Sequence, residues 1–315
     1  MRLKLVPSET SFDFMGIRKA AVGLSLAGIV ASLILVFTMG LNFGIDFRGG
    51  IMIEARTEAP ANMGEVRDAV SALGLGDVAV QSFGQPNDVL IRVEAQDGDG
   101  DQQMQVAQAV QEALAQSFQG IEIRRVEVVG PKVSGELIQQ GALAVGLAVL
   151  AIMVYVWLRF EWQFSVGAVI ALVHDVILTV GVFSVPRLEF NLAIIAALLT
   201  IVGYSINDTV IVYDRVRENL RKYKQMELKE VLNLSINETL SRTVMTSGTT
   251  LLALFALYFL GGEVIRGFTF AMIWGIVVGT YSSIFVAAVA LIRLGVKRDW
   301  SKPDKPAGTQ FGAQV

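Results

Sequence analysis

Apolar residues are grouped in long runs along the chain, and polar segments separate these runs. Six runs have about the 17–25 residues that a helix needs to cross a hydrocarbon core of roughly 30 Å. They lie at residues 20–41, 137–158, 164–185, 192–213, 244–260 and 268–291. The pattern therefore predicts six transmembrane helices.

The first apolar run has features of both a signal peptide and a membrane anchor. It follows two basic residues, Arg18 and Lys19, as the apolar part of a signal peptide does. It is longer than the roughly 7–15 apolar residues of a signal peptide, and no small-residue cleavage pattern follows it. We therefore interpret the run as an uncleaved anchor.

The longest polar segment lies between the first two apolar runs, at residues 42–136. Periods of 2 and 3.6 residues within it predict strands and helices, respectively. The predicted elements are strands at 51–55, 77–83, 88–93 and 121–129, and helices at 62–73 and 101–118. Their β-α-β-β-α-β order is ferredoxin-like, an arrangement that by itself does not indicate function. The predicted fold class is a polytopic α-helical membrane protein with six transmembrane helices and one α+β ferredoxin-like extracytoplasmic domain between helices 1 and 2.

Finer features of this segment also follow from the pattern. Residues 84–87 are predicted to form a turn, and a change of phase around Arg124 and Arg125 predicts a β-bulge. The apolar stripes predicted to face the core are Met63, Val66, Val70 and Leu73 on the first helix, and Val106, Val110, Ala113 and Phe118 on the second.

Residues 97–101, Asp-Gly-Asp-Gly-Asp, superficially resemble the start of a calcium-binding loop. An EF-hand requires Gly at position 6 and Glu at position 12, where this chain has Gln102 and Gln108. We therefore predict a solvated loop in which Asp99 or Asp101 caps the following helix, and no metal site.

Composition excludes several classes of function. Of the 315 residues, 53% are hydrophobic and 17% are charged, and a soluble domain has a larger charged fraction of about 25%. There is no cysteine and His174 is the single histidine, which excludes disulfides, thiolate chemistry and multi-histidine metal sites. We find neither a nucleotide-binding loop nor a persuasive Ser/His/Asp arrangement. The sequence therefore predicts no enzyme and no cofactor.

Charge is divided between the predicted compartments. Residues 46–136 contain fifteen acids and seven bases, a charge of −8, and the rest of the chain contributes +5, which gives the total of −3. Basic residues concentrate in 1–19, in a loop at about 214–243 and in 292–315. The positive-inside rule then places both termini in the cytoplasm and residues 42–136 on the opposite side of the membrane. The acidic domain also argues against nucleic acid as a partner.

The predicted organisation follows from these assignments. A cytoplasmic N-terminus at 1–19 precedes transmembrane helix 1 at 20–41 and the periplasmic segment 42–136. Helices 2–6 occupy 137–291, with the basic cytoplasmic loop at about 214–243, and a cytoplasmic tail covers 292–315. Residues 226–239 have helical spacing and are predicted as an interfacial helix or a plain connecting helix.

Ionisable residues inside the predicted helices are the strongest indication of function, because a charge at the bilayer centre costs at least about 2.5–3.5 kcal/mol. Asp175 lies midway along the third helix, and Asp208 lies in the cytoplasmic half of the fourth. Arg242, at the cytoplasmic start of the fifth helix, has a similar depth and could meet Asp208. Burial disfavours a carboxylate and a nearby arginine favours it, so Asp208 could gain and lose a proton. A static interhelical pair is the alternative.

The surroundings of these charges leave further alternatives open. His174 and Asp175 are adjacent and are expected on different helix faces, so they do not automatically form a proton relay. Gly49 and Gly50 are interpreted as a flexible hinge where the first helix meets the domain. Small or polar residues that could line a proton path or simply pack helices are Ser205, Asn207, Thr209, Thr246 and Ser247.

Motifs in a fixed order give the sequence a family resemblance over residues 10–295. The motifs are GIDFRGG at 44–50, VGP at 129–131, HDV at 174–176, GYSINDT at 203–209, SRT at 241–243 and TSGTT at 246–250. With these motifs the chain resembles the SecF members of the SecD/SecF family, accessory subunits of the protein translocase that are related to resistance-nodulation-division transporters.

The resemblance implies a function and partners that the residues alone do not give. It implies a subunit that pairs with SecD and uses the proton motive force to promote protein export after the translocon and its motor have started it. The implied partners are SecD, the SecYEG translocon with YajC, exported polypeptides, protons and the lipid bilayer. By the same resemblance, Asp208 would be the proton-responsive carboxylate and Arg242 its charged partner.

Two other functions remain open from the sequence. One is half of a proton-coupled efflux transporter for small molecules, although such transporters have larger outer domains and a duplicated chain. The other is a non-transporting scaffold in which the buried charges are structural.

Overall fold

The computed structural model describes residues 10–96 and 100–296. Six helical segments in it are long and apolar enough to cross a membrane, which confirms the six predicted runs. The first part of the chain contains α1 (Arg18–Met39), β1 (Asn42–Phe43), α2 (Ile45–Arg48), β2 (Gly50–Arg56), α3 (Met63–Ser71), β3 (Val78–Phe83), β4 (Gln85–Val93), α4 (Gly100–Ser117) and β5 (Glu122–Val129). The predictions for residues 1–9, 97–99 and 297–315 lie outside the described residues.

The second part of the chain is almost entirely helical. It contains α5 (Pro131–Arg159), α6 (Trp162–Phe183), β6 (Glu189–Phe190), α7 (Leu192–Lys222), α8 (Leu228–Leu260) and α9 (Arg266–Ser282). A π-helical turn, Ser283–Ala287, connects α9 to α10 (Ala288–Leu294), so the last three form one apolar span.

Residues 50–129, here called the sheet domain, have the predicted ferredoxin-like topology. The antiparallel sheet has the order β3-β4-β2-β5, and the core between the sheet and helices α3 and α4 is built from valine, isoleucine, leucine and alanine. Glu54 pairs with Arg125 and Ala55 with Ile123, which leaves Arg124 out of the ladder. This is the bulge that the change of phase predicted.

Other details of the sheet domain differ from the prediction. The turn expected at 84–87 is wrong, because β4 begins at Gln85 and only Gly84 remains between the strands. Residues 86 and 87 extend the pairing, since their carbonyl groups accept hydrogen bonds from the amides of Ala61 and Thr57.

The predicted helix faces in the sheet domain are correct only in part. Val66 and Val70 are fully buried as expected, whereas Leu73 lies beyond the end of α3 and is exposed. On α4 the buried side chains are Gln103, Ala107, Val110 and Leu114. Val106, Ala113 and Phe118 are only partly buried, because the stripe through Gln103 and Ala107 is the one that faces the sheet.

Helices α6, α7 and α9 form the centre of the membrane-spanning body, and α1, α5 and α8 lie around it. The central helices bury about half of their apolar spans, whereas the outer three bury less than a fifth. Phe37, Leu158 and Leu260 on the outer helices are more than 80% exposed. Such apolar exposure is that of a surface facing lipid.

The cytoplasmic loop predicted at about 214–243 is mostly helical. Helix α7 continues to Lys222, and α8 already begins at Leu228, so only residues 223–227 connect them. The helical spacing of residues 226–239 is confirmed, but these residues form the first part of α8 and not a separate helix. The helices continue beyond the apolar runs because Val231, Leu232 and Ile236 of α8 belong to the same buried cluster as the end of α7.

Candidate functional site

Asp208 lies on the central helix α7 and is only 4% exposed. Its Oδ1 accepts a hydrogen bond from the hydroxyl of Thr243 on α8, with a distance of 2.8 Å. Its Oδ2 accepts one from Ser283, at the start of the π-helical turn, with a distance of 3.1 Å. The carboxyl group of Asp208 thus connects three membrane-spanning segments through hydroxyl groups.

Asp175 on α6 forms a second and more deeply buried carboxyl site, with no exposed surface. Its Oδ2 accepts hydrogen bonds from Ser205 of α7 over 2.6 Å and from Ser282 of α9 over 2.8 Å. The backbone carbonyl of Asp175 accepts a further bond from Thr179. This carboxyl group therefore also joins three segments.

His174 contacts the same site, which adjacency in the sequence had left open. Its Nδ1 lies 2.9 Å from Oδ1 of Asp175, and its ring stacks on Tyr281. Nε2 of His174 is buried and has no hydrogen-bond partner. Adjacent residues on a helix have Cα–Cβ bonds that point in different directions, which is why we expected the two side chains to diverge. The imidazole of His174 is long enough to turn back to the carboxyl group of Asp175. Which of the two atoms donates in this contact depends on the tautomer of the imidazole.

Two consecutive serines connect the carboxyl sites. Ser282 bonds to Asp175 and Ser283 bonds to Asp208, and both lie where α9 changes to the π-helical turn. Each serine oxygen also lies near a backbone carbonyl of its own helix, Gly279 for Ser282 and Thr280 for Ser283. A hydroxyl has one hydrogen to donate, so it can serve the carboxylate or the carbonyl. Either serine can therefore accept a bond from a protonated carboxyl and still donate its own hydrogen.

Arg242 does not form a direct ion pair with Asp208, although their similar depth had left such a contact open. In the described part of the chain, no ion pair joins the two residues. Depth along the helix was predicted correctly, but rotation was not, because Thr243 occupies the face of α8 that points at Asp208. Arg242 is exposed, and its charge is near enough to act on Asp208 electrostatically.

The other predicted lining residues have different positions. Ser205 contacts Asp175, and Ser247 bonds to Thr280 over 2.7 Å, so both belong to the hydroxyl network. Thr209 is buried and Asn207 is exposed. The hydroxyl of Thr246 donates to the carbonyl of Arg242 within α8.

Sequence reasoning did not identify Thr243, Thr280, Ser282 and Ser283 as site residues. A signal for the two serines was available, because they interrupt the last apolar run as a consecutive pair. π-Helical turns are rare and are frequently found at functional sites. The π-helical turn and the serine pair therefore both indicate a functional site at this position.

The glycines predicted as a hinge are tightly packed. Gly49 and Gly50 have positive φ angles of 73° and 117°. A side chain at Gly50 would place Cβ 2.4 Å from the carbonyl oxygen of Val93. Close approach and a left-handed backbone therefore require glycine at position 50, and flexibility is not needed to explain it.

Metal chemistry has no support at these sites. Within residues 10–96 and 100–296, no three histidine, aspartate or glutamate side chains cluster as metal ligands do. The carboxyl groups of Asp175 and Asp208 have hydroxyl and imidazole partners instead.

Comparison with known families identifies two matching regions. Residues 109–297 match the family described as protein export membrane protein SecD/SecF, C-terminal, and residues 34–61 match the SecD/SecF GG motif. The protein translocase subunit SecF of Cereibacter sphaeroides is 48% identical over 98% of both chains. SecF of Rickettsia rickettsii is 46% identical over 95% of this chain and 97% of the relative.

Solved structures show the same similarity. The crystal structure of SecDF, a translocon-associated membrane protein from Thermus thermophilus, superposes with a TM-score of 0.81 at 36% identity over 92% of this chain. SecDF in its super-membrane-facing form gives a TM-score of 0.67 at 36% identity over 91% of this chain. This chain spans only 39% of the length of either SecDF chain.

Proposed function

The chain belongs to the SecF family of protein translocase subunits, and from this premise we propose that it works with SecD to promote protein export by means of the proton motive force. Its relatives are named as translocase subunits, and six long apolar helices make it a multipass membrane protein. Its proposed role is a conformational cycle driven by protons, without covalent catalysis.

The observation that carries the proposal is the pair of buried carboxyl groups, Asp208 and Asp175, bonded to consecutive serines at the junction between α9 and the π-helical turn. A buried charge in the membrane is costly and is a functional site by default. One proton crossing 100 mV releases about 2.3 kcal/mol, which shifts a two-state equilibrium about 50-fold. Proton binding at either carboxyl is therefore a sufficient source of energy for a helix rearrangement.

The proposed cycle begins when a proton neutralises Asp208. The carboxyl then no longer needs two donors, and Ser283 can turn its hydroxyl to the carbonyl of Thr280. Contacts between α7, α8 and the π-helical turn change as a result. Arg242 balances the charge of Asp208 when the proton leaves, and Asp175 with His174 is the second proton-binding group.

SecD is the proposed partner at the surface formed by α7 and α8. Asn207, Arg242 and Thr249 are exposed on these helices. Polar side chains at membrane depth usually face another protein or water, and seldom lipid. The length of the related SecDF chains is consistent with a second membrane-spanning half of this kind.

The wider assignments are also proposals. We place the chain in the bacterial inner membrane with both termini in the cytoplasm and residues 42–136 in the periplasm, because basic residues concentrate on the opposite side of the helices. The SecYEG translocon, YajC and exported polypeptides are the proposed further partners. Asn207, Ser205, Thr209, Thr246 and Ser247 are the proposed lining of the proton path or of the helix contacts around it.

The proposal is tested by Asp208→Asn in membrane vesicles that export a reporter protein with and without an uncoupler. We expect the proton-dependent part of export to fall at least about tenfold, since asparagine cannot bind the proton whose passage releases about 2.3 kcal/mol per 100 mV. Asp214→Asn is the matched control, because Asp214 is an exposed carboxylate on the same helix. Unchanged proton-dependent export by Asp208→Asn would favour the scaffold instead. Dye transport by vesicles without any exported protein would favour the efflux transporter.

A further inference from the structure

The segment before the sheet domain is attached to the beginning of α7. Strand β1 pairs in parallel with β6, so that Asn42 lies opposite Glu189 and Phe43 opposite Phe190. The amide of Gly44 donates to the carbonyl of Phe190 over 3.0 Å. A Cβ at Gly44 would lie 2.4 Å from Oε1 of Glu189 and 3.2 Å from Cβ of Asn191, so the two segments approach each other closely.

Asp46 forms the central contact of this attachment. Its Oδ2 accepts a hydrogen bond from the backbone amide of Leu192, the first residue of α7, with a distance of 2.7 Å. The local capping residue Asn191 makes no side-chain cap, and its Oδ1 is buried without a partner. A helix needs acceptors for its first amides, and a carboxylate also interacts favourably with the positive end of the helix dipole. Asp46 therefore caps α7 from 146 residues away in the sequence.

The sheet domain also contacts the attachment between residues 42–46 and residues 189–192, which is here called the joint. Arg92 of β4 forms an ion pair with Glu189 over 2.6 Å, and both side chains are largely buried. Burial raises the pKa of Glu189 although the charge of Arg92 lowers it, so Arg92 offsets a charge that is expensive at this position. Only Phe47, Arg48 and Gly49 separate Asp46 from the first residue of β2.

Aromatic packing makes the joint stiff. The ring centroids of Phe43, Phe47 and Phe190 lie 6.0 Å from one another. Phe190 also contacts Phe183 at the end of α6. Rings packed in this way contribute about 0.5–1.5 kcal/mol per pair beyond their buried area.

We propose that Asp46 is a positioning residue that fixes the first turn of α7 to the sheet domain, so that movement of α7 around Asp208 is transmitted to that domain. Asp208 lies sixteen residues after Leu192 on one uninterrupted helix, a distance of about 24 Å. A helix of this length moves as a rigid rod when its end is held. The inference deepens the proposed function, since it assigns the connection between the proton site and the domain that would face exported chains.

The joint is tested directly by the spread of distances between the sheet domain and the helices. The chain contains no cysteine, so spin labels can be attached at Ser71→Cys on α3 and Val185→Cys after α6 without other changes. Asp46→Ala should broaden the distance distribution and lower export roughly two- to thirtyfold, the range expected for loss of a helix cap. Asp46→Asn keeps an acceptor oxygen and should behave like the unsubstituted chain. Asp68→Ala, an exposed acid of the sheet domain, is the control.

A covalent bridge provides a second test if Asp46→Ala assembles poorly. Asn42→Cys and Glu189→Cys replace Cα partners of the β1–β6 ladder, and in an Asp46→Ala chain without spin labels their oxidation should restore export. Reduction should abolish the rescue. The inference is overturned if Asp46→Ala leaves the distances narrow and export normal, or if the oxidised chain exports no better than the same chain after reduction.

The two proposals fail separately. If Asp208→Asn exports normally while Asp46→Ala broadens the distances and reduces export, the proposal for Asp46 is supported and the proton role of Asp208 is refuted. If Asp208→Asn blocks export and Asp46→Ala changes neither the distances nor export, only the proposal for Asp46 is refuted.

Discussion

Replacement of Thr243 by valine isolates one hydrogen bond of the proposed proton site. Thr243 is 2% exposed, and its hydroxyl donates to Asp208 over 2.8 Å. Valine has nearly the same shape but no hydroxyl, so packing is retained while Oδ1 of Asp208 loses this donor. Leaving a buried acceptor unsatisfied costs about 1–3 kcal/mol, and more when the acceptor is charged.

If this cost is applied in full to the export step, Thr243→Val should lower export roughly 5- to 150-fold. It applies to the state in which Asp208 is ionised, and the proposed cycle passes through that state once per proton. Thr243→Ser separates the hydroxyl from the methyl group, because serine keeps the donor and removes one buried carbon worth about 0.8 kcal/mol. We therefore expect Thr243→Ser to export at a rate close to that of the unsubstituted chain.

The assay is reporter export into membrane vesicles with and without an uncoupler, with the amount of assembled protein measured in the same membranes. A thermal melt in detergent checks that Thr243→Val is as stable as Thr243→Ser. Equal export by all three chains would refute the reasoning. So would an equal loss in both variants, because that result would assign the effect to the methyl contact.

Two further predictions concern packing and pH. A Cβ at Gly181 of α6 would lie 2.2 Å from Cβ and 2.7 Å from Cα of Ser32 on α1. Gly181→Ala should therefore destabilise the protein by about 1–3 kcal/mol and lower its melting temperature. Gly23→Ala is the control and should leave the melting temperature unchanged, because no atom lies within 4 Å of a Cβ at that position. The hydrogen bond from Arg56 holds the pKa of Asp88 below its usual value. The ionised carboxylate therefore stabilises the sheet domain at pH values above the usual aspartate pKa, and this stabilisation is lost as the pH falls through the lowered pKa. Asp88→Asn should therefore lower the thermal midpoint at pH 7, and the difference from the unsubstituted chain should disappear in strong acid; a constant difference would contradict this.

Hydropathy and periodicity were sufficient for the elements but not for their contacts. Six apolar runs gave six spans, and Asp175 and Asp208 were identifiable because a charge interrupts an apolar helix. The partners of Asp208 are 35 and 75 residues away in sequence. Helical spacing fixes the depth of a residue, whereas its rotation depends on packing with the neighbouring helices, which is why Thr243 contacts Asp208 and Arg242 does not.

The sheet domain shows the same limit on a smaller scale. The order of its strands and the bulge at Arg124 followed from local patterns. The extension of β4 through residues 85–87 did not, because the carbonyl groups of residues 86 and 87 bond to Ala61 and Thr57, which are about 25–30 residues away in the sequence. Asp46 was similarly visible only as part of a motif, since the amide that it caps belongs to a distant helix.

Helix α7 is the element that connects these observations. It carries Asp208, it supplies Ser205 to Asp175, and its first amide is bound by Asp46. Rotation or translation of α7 therefore cannot alter one carboxyl site without altering the contacts of the other and the position of the joint. Ser282 and Ser283 impose the same linkage from the opposite side, because one turn of backbone holds both donors. A proton bound at either carboxyl is for this reason expected to act on the same movement, and the two sites should not behave additively when both are substituted.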